Sequence, residues 1–192
     1  AMPATTLAIG LQEWAVCCRA LGAGRLLLAV RKGGIHERQG GLFVPEHDRF
    51  ALLPTRLHQD ESRLRSGFGV EIDGGDESPA GVIRVTVWAE VARVWKATDL
   101  ARVQALGDEL AWTSAELATR FAYRDQPFLF VLALRAWRLP VPQDIPDLPA
   151  YAGCRSWIPL RDPVDLGGST PAVTDPDFAA RLARVESVLD TP

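Results

Sequence analysis

The sequence predicts a single α+β domain with one curved, mixed or mainly antiparallel sheet, flanked by N- and C-terminal helices. Three observations carry this. Residues 81–95 alternate, with Ile83, Val85, Val87, Ala89 and Val91 on one face and Arg84, Thr86, Trp88 and Glu90 on the other, which is the period of a half-buried strand. Residues 128–139 form a second long strand, apolar on both faces until Arg135 and Arg138. Strand patterns also follow one another without helical crossovers, which argues against a doubly wound parallel sheet.

Taken in order, Leu7, Leu11, Trp14, Cys18 and Leu21 recur at steps of four and three, one helical stripe. Gly22 and Gly24 then end the predicted helix, because glycine tolerates the left-handed C-cap. Cys17 and Cys18 fall mid-helix, where packing is their expected role. Residues 26–30 are an apolar run after a glycine break, the mark of a strand buried on both faces. Gly33-Gly34 turns the chain, residues 35–38 predict a short edge strand, and Gln39-Gly40-Gly41 a further turn. Residues 50–53 predict the next strand, closed by Pro54. Thr55 is placed to cap a short polar helix over 56–65. Residues 66–81 read as a mobile loop inside one domain spanning 5–190.

Beyond the alternating strand, Asp99 caps a short helix. Thr113-Ser114-Ala115-Glu116 is a capping box that starts a second, running to about Tyr123. Residues 139–149 hold four prolines and predict an extended connection. Residues 154–160 predict a last short strand. Thr174-Asp175-Pro176 opens the final helix with a cap and an early proline, and Phe178, Leu182, Val185 and Leu189 form its stripe. Trp14 and Leu182, central on their stripes, are expected to be well buried.

At 192 residues the chain supports one well-buried core and is short for two. With 47% hydrophobic and 23% charged residues, wholesale disorder is excluded. No apolar run approaches the roughly 18–20 residues of a membrane helix, and the first residues lack the pattern of a signal peptide. Three cysteines, two of them adjacent, make neither a disulfide framework nor a zinc spacing. A cytoplasmic setting is the expectation. Charge is uneven: over residues 19–65 nine Lys/Arg stand against five Asp/Glu in a chain of net charge −3. Such asymmetry marks where an anionic partner would sit.

Several strings, LQEWAVCCRALGAGRLLL, RKGGIHE, FALLPTRLHQ, WAEV and YAGCRSWIPL, together resemble the uncharacterised bacterial domain-of-unknown-function family 1802, over about 7–189. The resemblance implies no established activity. Some family members are joined to a restriction-endonuclease-like domain, which implies a DNA-related context and such a protein as a partner. Where the family has an aromatic between Thr55 and His58, this chain has Arg56 and Leu57. The order of elements, LLLAVRKGGIHER then DRFALLPTR and later AEVARVW through SAELATRFAYRDQPFLFVLALRAWRLPVPQDI, also resembles the PUA and ASCH group. Those are small barrels that bind RNA or modified bases, so the resemblance implies a PUA-like barrel.

His36, His47 and His58 are spaced eleven residues apart on different elements. Without Cys or carboxylates at ligand spacing they predict no metal site, and no cofactor is expected. Arg31-Lys32-Gly33-Gly34 suits an anion, since two cations precede glycines whose N–H groups can approach a phosphate. Gln59 can read a base edge, Arg155 can clamp phosphate or guanine, and Trp157 can stack on a base. Core packing is the plainer reading of Trp157, as a surface hairpin is of the basic turn. Glu37, Glu90 and Lys96 lack the usual spacing of a metal-dependent nuclease, and no serine lies in a Gly-x-Ser-x-Gly elbow.

The expected function is binding of nucleic acid (DNA or RNA) or a nucleotide-like ligand. Arg31 and Lys32 would hold phosphate, and His47, His58, Gln59, Arg155 and Trp157 would line the pocket. The alternatives are phosphodiester hydrolysis with His47 or His58 as general base, and a protein-interaction subunit.

Overall fold

The computed structural model describes residues 5–33, 42–56, 59–68, 78–153 and 155–190. The edge strand expected over 35–38, the turn at Gln39-Gly40-Gly41, Gly34, His36, Glu37, His58, Cys154 and the central part of the expected loop, 69–77, lie outside these residues.

Among the described residues seven strands form one sheet: β1 (Thr6–Trp14), β2 (Leu28–Arg31), β3 (Arg49–Thr55), β4 (Val82–Ala97), β5 (Leu129–Pro146), β6 (Trp157–Asp165) and β7 (Thr170–Pro171). The spatial order is β2-β5-β4-β3-β1-β6, with the short β7 on β5. β1 and β3 run parallel and the other pairs are antiparallel. The sheet is therefore mixed and open, in agreement with the expected class. It is also strongly curved. β2 and β6 are its two ends, yet Arg31 on β2 hydrogen-bonds the Gln12 carbonyl on β1 and the Ser156 hydroxyl just before β6.

The N-terminal helix is a correction. Residues 6–14 are the strand β1, and helix α1 occupies only Ala15–Gly22. Leu7 and Leu11 satisfy a spacing of four in either conformation. Tertiary pairing decides between them, because β1 lies inside the sheet between β3 and β6 and its backbone groups are satisfied by the ladder. Gly10 permits that packing: a Cβ there would lie 2.5 Å from the Leu53 side chain of β3. The predicted helix end holds, with Gly24 at φ +74°.

β4 and β5 form the spine of the sheet. The register slips between Val85 and Val87 and again between Val91 and Arg93, and each slip resets which residues point to which face. Consequently Val87 and Ala89 join the larger core with Leu11, Phe50, Leu52 and Leu132. Val85 joins a second core with Ala51, Leu53, Trp88 and Ile158. The single inward face expected over 81–95 is thus two half-faces, and the sheet is covered on both sides. The proline-rich segment is a further correction, since β5 continues to Pro146. Pro140 and Pro142 fall where the pairing steps from Val87↔Arg138 to Val85↔Gln143, so their missing N–H groups interrupt no ladder bond.

The remaining helices start where caps were expected. Asp99 caps α2 (Leu100–Gln104), Thr113 caps α3 (Ser114–Phe121), and Thr174 caps α4 (Asp175–Leu189). In α4, Phe178 and Val185 are buried while Leu182 and Leu189 are half-buried at the core margin. Leu182 is therefore less covered than its stripe implied. The helix expected over 56–65 is a single 3-10 turn, Glu61–Arg63, capped by Asp60, and β3 runs on through Pro54 to Thr55. Cys17 and Cys18 are buried, and burial pushes both thiols well up, as packing residues require.

Candidate ligand cleft

Three of the residues singled out in the sequence, Arg31, His47 and Trp157, gather along a seam where the ends of the curved sheet approach each other. Glu13 ends β1 as a buried carboxylate, 6% exposed. Its Oε1 accepts from the Trp14 N–H at 2.8 Å and its Oε2 pairs with Arg31 Nη1 at 3.2 Å. Arg31 also donates to the Gln12 carbonyl at 3.1 Å and to the Ser156 hydroxyl, and its guanidinium lies over the Phe43 ring. One cation thus ties β2 to β1 and to the approach to β6. Lys32 is 4% exposed. Its ammonium donates to the carbonyls of Phe121, Gln126 and Phe128, which uses all three of its protons. Burial pushes its pKa down and nearby Lys96 adds to this. The expected phosphate-holding pair therefore points inward. Both side chains are occupied with protein groups, and the turn they precede leaves the described residues at Gly33.

Trp157 lies against Phe43, His47 and Phe50 and donates from Nε1 to the Val44 carbonyl at 2.7 Å. Its ring is a packing element of the larger core. His47 stands edge-on to Trp157 with centroids 4.9 Å apart, and its Nε2 is 3.9 Å from a Glu46 oxygen. Gln59 accepts the Val16 N–H at 3.2 Å. It thereby caps helix α1, for which Trp14 supplies no side-chain bond. Arg155 donates to the Ala152 carbonyl at 3.4 Å. The structure thus unites Arg31, His47 and Trp157 around Phe43, sets Gln59 at the start of α1, places Arg155 in the 152–156 turn, and carries Lys32 away to the α3–β5 turn.

A cleft of about 590 Å³ opens beside this seam. Gln12, Ala15, Cys18 and Arg19 bound it from the β1–α1 junction, and Leu52 with residues 54–56 from the end of β3. Residues 82–84, Thr86 and Val87 bound it from the start of β4, and residues 151–153 from the turn before β6. Pro54, Val82 and Ile83 contribute partly exposed apolar wall, and Arg19 on α1, Arg56 just beyond β3 and Arg84 on β4 lie on the cleft as well. Arg84 is aimed by a two-pronged pair with Asp144, at 2.8 and 3.0 Å, which holds the Asp144 carboxyl below its usual value. With its amide nitrogen turned toward the 153–155 turn, Gln12 donates to the Gly153 and Arg155 carbonyls, both at 3.1 Å. The Tyr151 hydroxyl accepts the Arg161 N–H at 2.8 Å. That wall is held from both sides. Among the described residues no group of three His, Cys, Asp or Glu could hold a metal, and no helix is long and apolar enough to cross a membrane.

Sequence reasoning did not single out Gln12, Arg19 or Arg84 for this site. Arg19 was visible as a polar residue off the apolar stripe, and Arg84 as a member of the outer face of the alternating strand. Their convergence is invisible in one dimension. Arg56 was marked only as a departure from the aromatic of the related sequences, and the structure places it on the cleft.

A curved mixed sheet with α4 packed on it and a concave, arginine-bearing cleft defines an α+β domain. The chain belongs to the family described as "Domain of unknown function (DUF1802)", which matches residues 10–184. No curated protein matches it. Among solved structures it is similar to the ASCH protein from Zymomonas mobilis, at 12% identity and a TM-score of 0.44, covering 92% of this chain and 93% of that one. A mutant form of the same protein matches at 11% identity and a TM-score of 0.43, covering 92% and 96%. A second mutant form matches at 12% and 0.43, covering 92% and 94%.

Proposed function

We propose that the protein is a binding module for nucleic acid or a nucleotide-like ligand, with the cleft as its site. The observation that carries this reading is the arrival of Arg19, Arg56 and Arg84, from three separate elements, on one volume with apolar walls. Guanidinium groups suit phosphate oxygens in charge and in planar donor geometry. Pro54, Val82 and Ile83 offer a base or sugar an apolar surface, and Thr86 and Gln12 add polar groups at the margin. Two of the three arginines lie in the basic 19–65 segment. Arg31 and Lys32 take a structural part in this reading, as do Gln59, bonded to the Val16 N–H, and Arg155, bonded to the Ala152 carbonyl.

His47 lies on Trp157, away from the cleft wall, which disfavours His47 as the general base of the hydrolytic alternative, while His58 lies outside the described residues. A restriction context and an endonuclease-like partner rest on the sequence resemblance alone.

Titration of short DNA and RNA strands at several salt concentrations tests the reading. Arg19→Gln and Arg56→Gln should each lower the slope of log K against log salt by roughly 0.7–0.9 for every phosphate no longer neutralised. Absence of affinity for DNA, RNA and nucleotides at low salt, where attraction is strongest, would refute it.

A further inference from the structure

Resting on the binding reading above, the geometry points to a narrower ligand. We propose that the cleft takes one nucleotide bearing a terminal phosphomonoester, free or at the end of a single strand, and excludes the interior of a duplex. Size is the first argument. The cleft has a volume of about 590 Å³, too little to enclose a duplex, whose major groove alone is roughly 12 Å wide. It falls inside the range of about 300–1,000 Å³ typical of sites for one small molecule.

The disposition of charge is the second argument. A protein that tracks a strand spreads its cations along a groove, one phosphate after another. Here Arg19 comes from the middle of α1, Arg56 from just beyond β3, and Arg84 from the start of β4, around a single volume. Cations arriving from separate directions address several oxygens of one phosphate, and a monoester exposes three terminal oxygens where an internal diester exposes two. Asp144 fixes the approach of Arg84, so part of the cluster is oriented before the ligand arrives.

The remaining walls suit the rest of such a ligand. Pro54, Val82 and Ile83 present apolar surface, while Asp147 stands on the wall of the 147–153 turn as an acceptor for sugar hydroxyls or base amino groups. That turn is clamped through the Gln12 amide and through Tyr151.

Fluorescence anisotropy separates the outcomes. The probes are one short single strand with and without a terminal phosphate and its blunt duplex, with AMP, adenosine and inorganic phosphate as competitors, all at low salt. The expected result is at least tenfold tighter binding of the phosphorylated strand than of its dephosphorylated twin, with AMP competing better than adenosine. In the Arg19→Gln/Arg56→Gln variant that ratio should collapse toward one, with circular dichroism confirming the fold. The wild-type ratio itself needs no variant, so a misfolded double mutant leaves the test intact. Competition by AMP assigns the free nucleotide, and binding of strands alone assigns the strand end. Equal affinity with and without the phosphate, or equally tight binding of the blunt duplex, overturns this inference and leaves the broader reading standing. Inorganic phosphate competing as well as AMP also overturns it, since the cleft would then be a simple anion site. No binding of any probe overturns both.

Discussion

The Lys32 ammonium donates to the Phe128 carbonyl at 2.7 Å and lies 3.9 Å from the centroid of that residue's ring. Phe128 thus offers a buried cation both an acceptor and an aromatic face. With the carbonyls of Phe121 and Gln126 completing the set, Lys32 fastens the end of β2 to the turn between α3 and β5.

Lys32→Met should therefore destabilise the fold by about 1–3 kcal/mol or more, because buried carbonyls lose their donor. A urea melt at neutral pH measures this. Burial lowers the folded pKa of Lys32 below its ordinary value of 10.5, so the unfolded chain holds the proton more tightly. Wild-type stability should gain a rising contribution between the lowered folded value and about 10.5, where the group neutralises in both states. The methionine variant should lack it. Identical melting midpoints for the two proteins would show that the carbonyl cage contributes nothing.

Trp14 is 8% exposed and meets Trp112 edge to face at 4.8 Å, whereas Leu182 is half-buried at the edge of the same core. Trp14→Ala should cost about 3–5 kcal/mol through forfeited transfer energy and a cavity. Leu182→Ala should cost roughly half of a fully buried leucine, about 1–2.5 kcal/mol. Equal losses in denaturant melts would contradict the difference in burial.

Gly10 is held to glycine by the close approach of Leu53, whose Cδ1 would lie 2.5 Å from an added Cβ. Gly10→Ala should cost about 1–3 kcal/mol from overpacking. In a Leu53→Ala background the same change should cost clearly less, since the colliding atoms are gone. A double-mutant cycle that proves additive would rule out this close approach as the cause.

Asp190 closes α4 onto β4 by accepting from both terminal nitrogens of Arg93 at 2.9 Å and from Trp95 Nε1 at 2.7 Å. The Arg93 bonds first, then the Trp95 bond, hold its carboxyl below the ordinary value of 3.8. Its contribution is therefore present above that value and is lost as pH falls through the lower folded value. Asp190→Asn should melt below wild type at neutral pH, and the gap should close in acid below about pH 4. A gap that persists unchanged into strong acid would mean the carboxylate charge is irrelevant.

Much of the architecture was legible in local patterns. The alternation over 81–95, the caps at Asp99, Thr113 and Thr174, and the glycine break after α1 each correspond to elements of the structure. Each depends on interactions within a few residues, which the order of side chains expresses directly. The errors fall where distant chain decides. Leu7 and Leu11 suit a helix or a strand, and β3 and β6 select the strand. Pro140 and Pro142 look like a connection until a slip in the β4–β5 register accommodates them.

The site follows the same division. Local patterns alone show a basic segment before an acidic remainder, an α+β order of elements, and polar residues beside apolar strands at 58–59 and 155–157. Which cations turn into the fold and which lie on the cleft depends on strand pairing over long sequence separations. Arg31 and Lys32 turn inward because the closing sheet presents Glu13, Ser156 and three backbone carbonyls to them. Buried acceptors left without a donor are costly. Arg19, Arg56 and Arg84 come to share one cleft because β1, β3 and β4 are neighbours in the sheet, a proximity set by strand pairing and carried by no local motif.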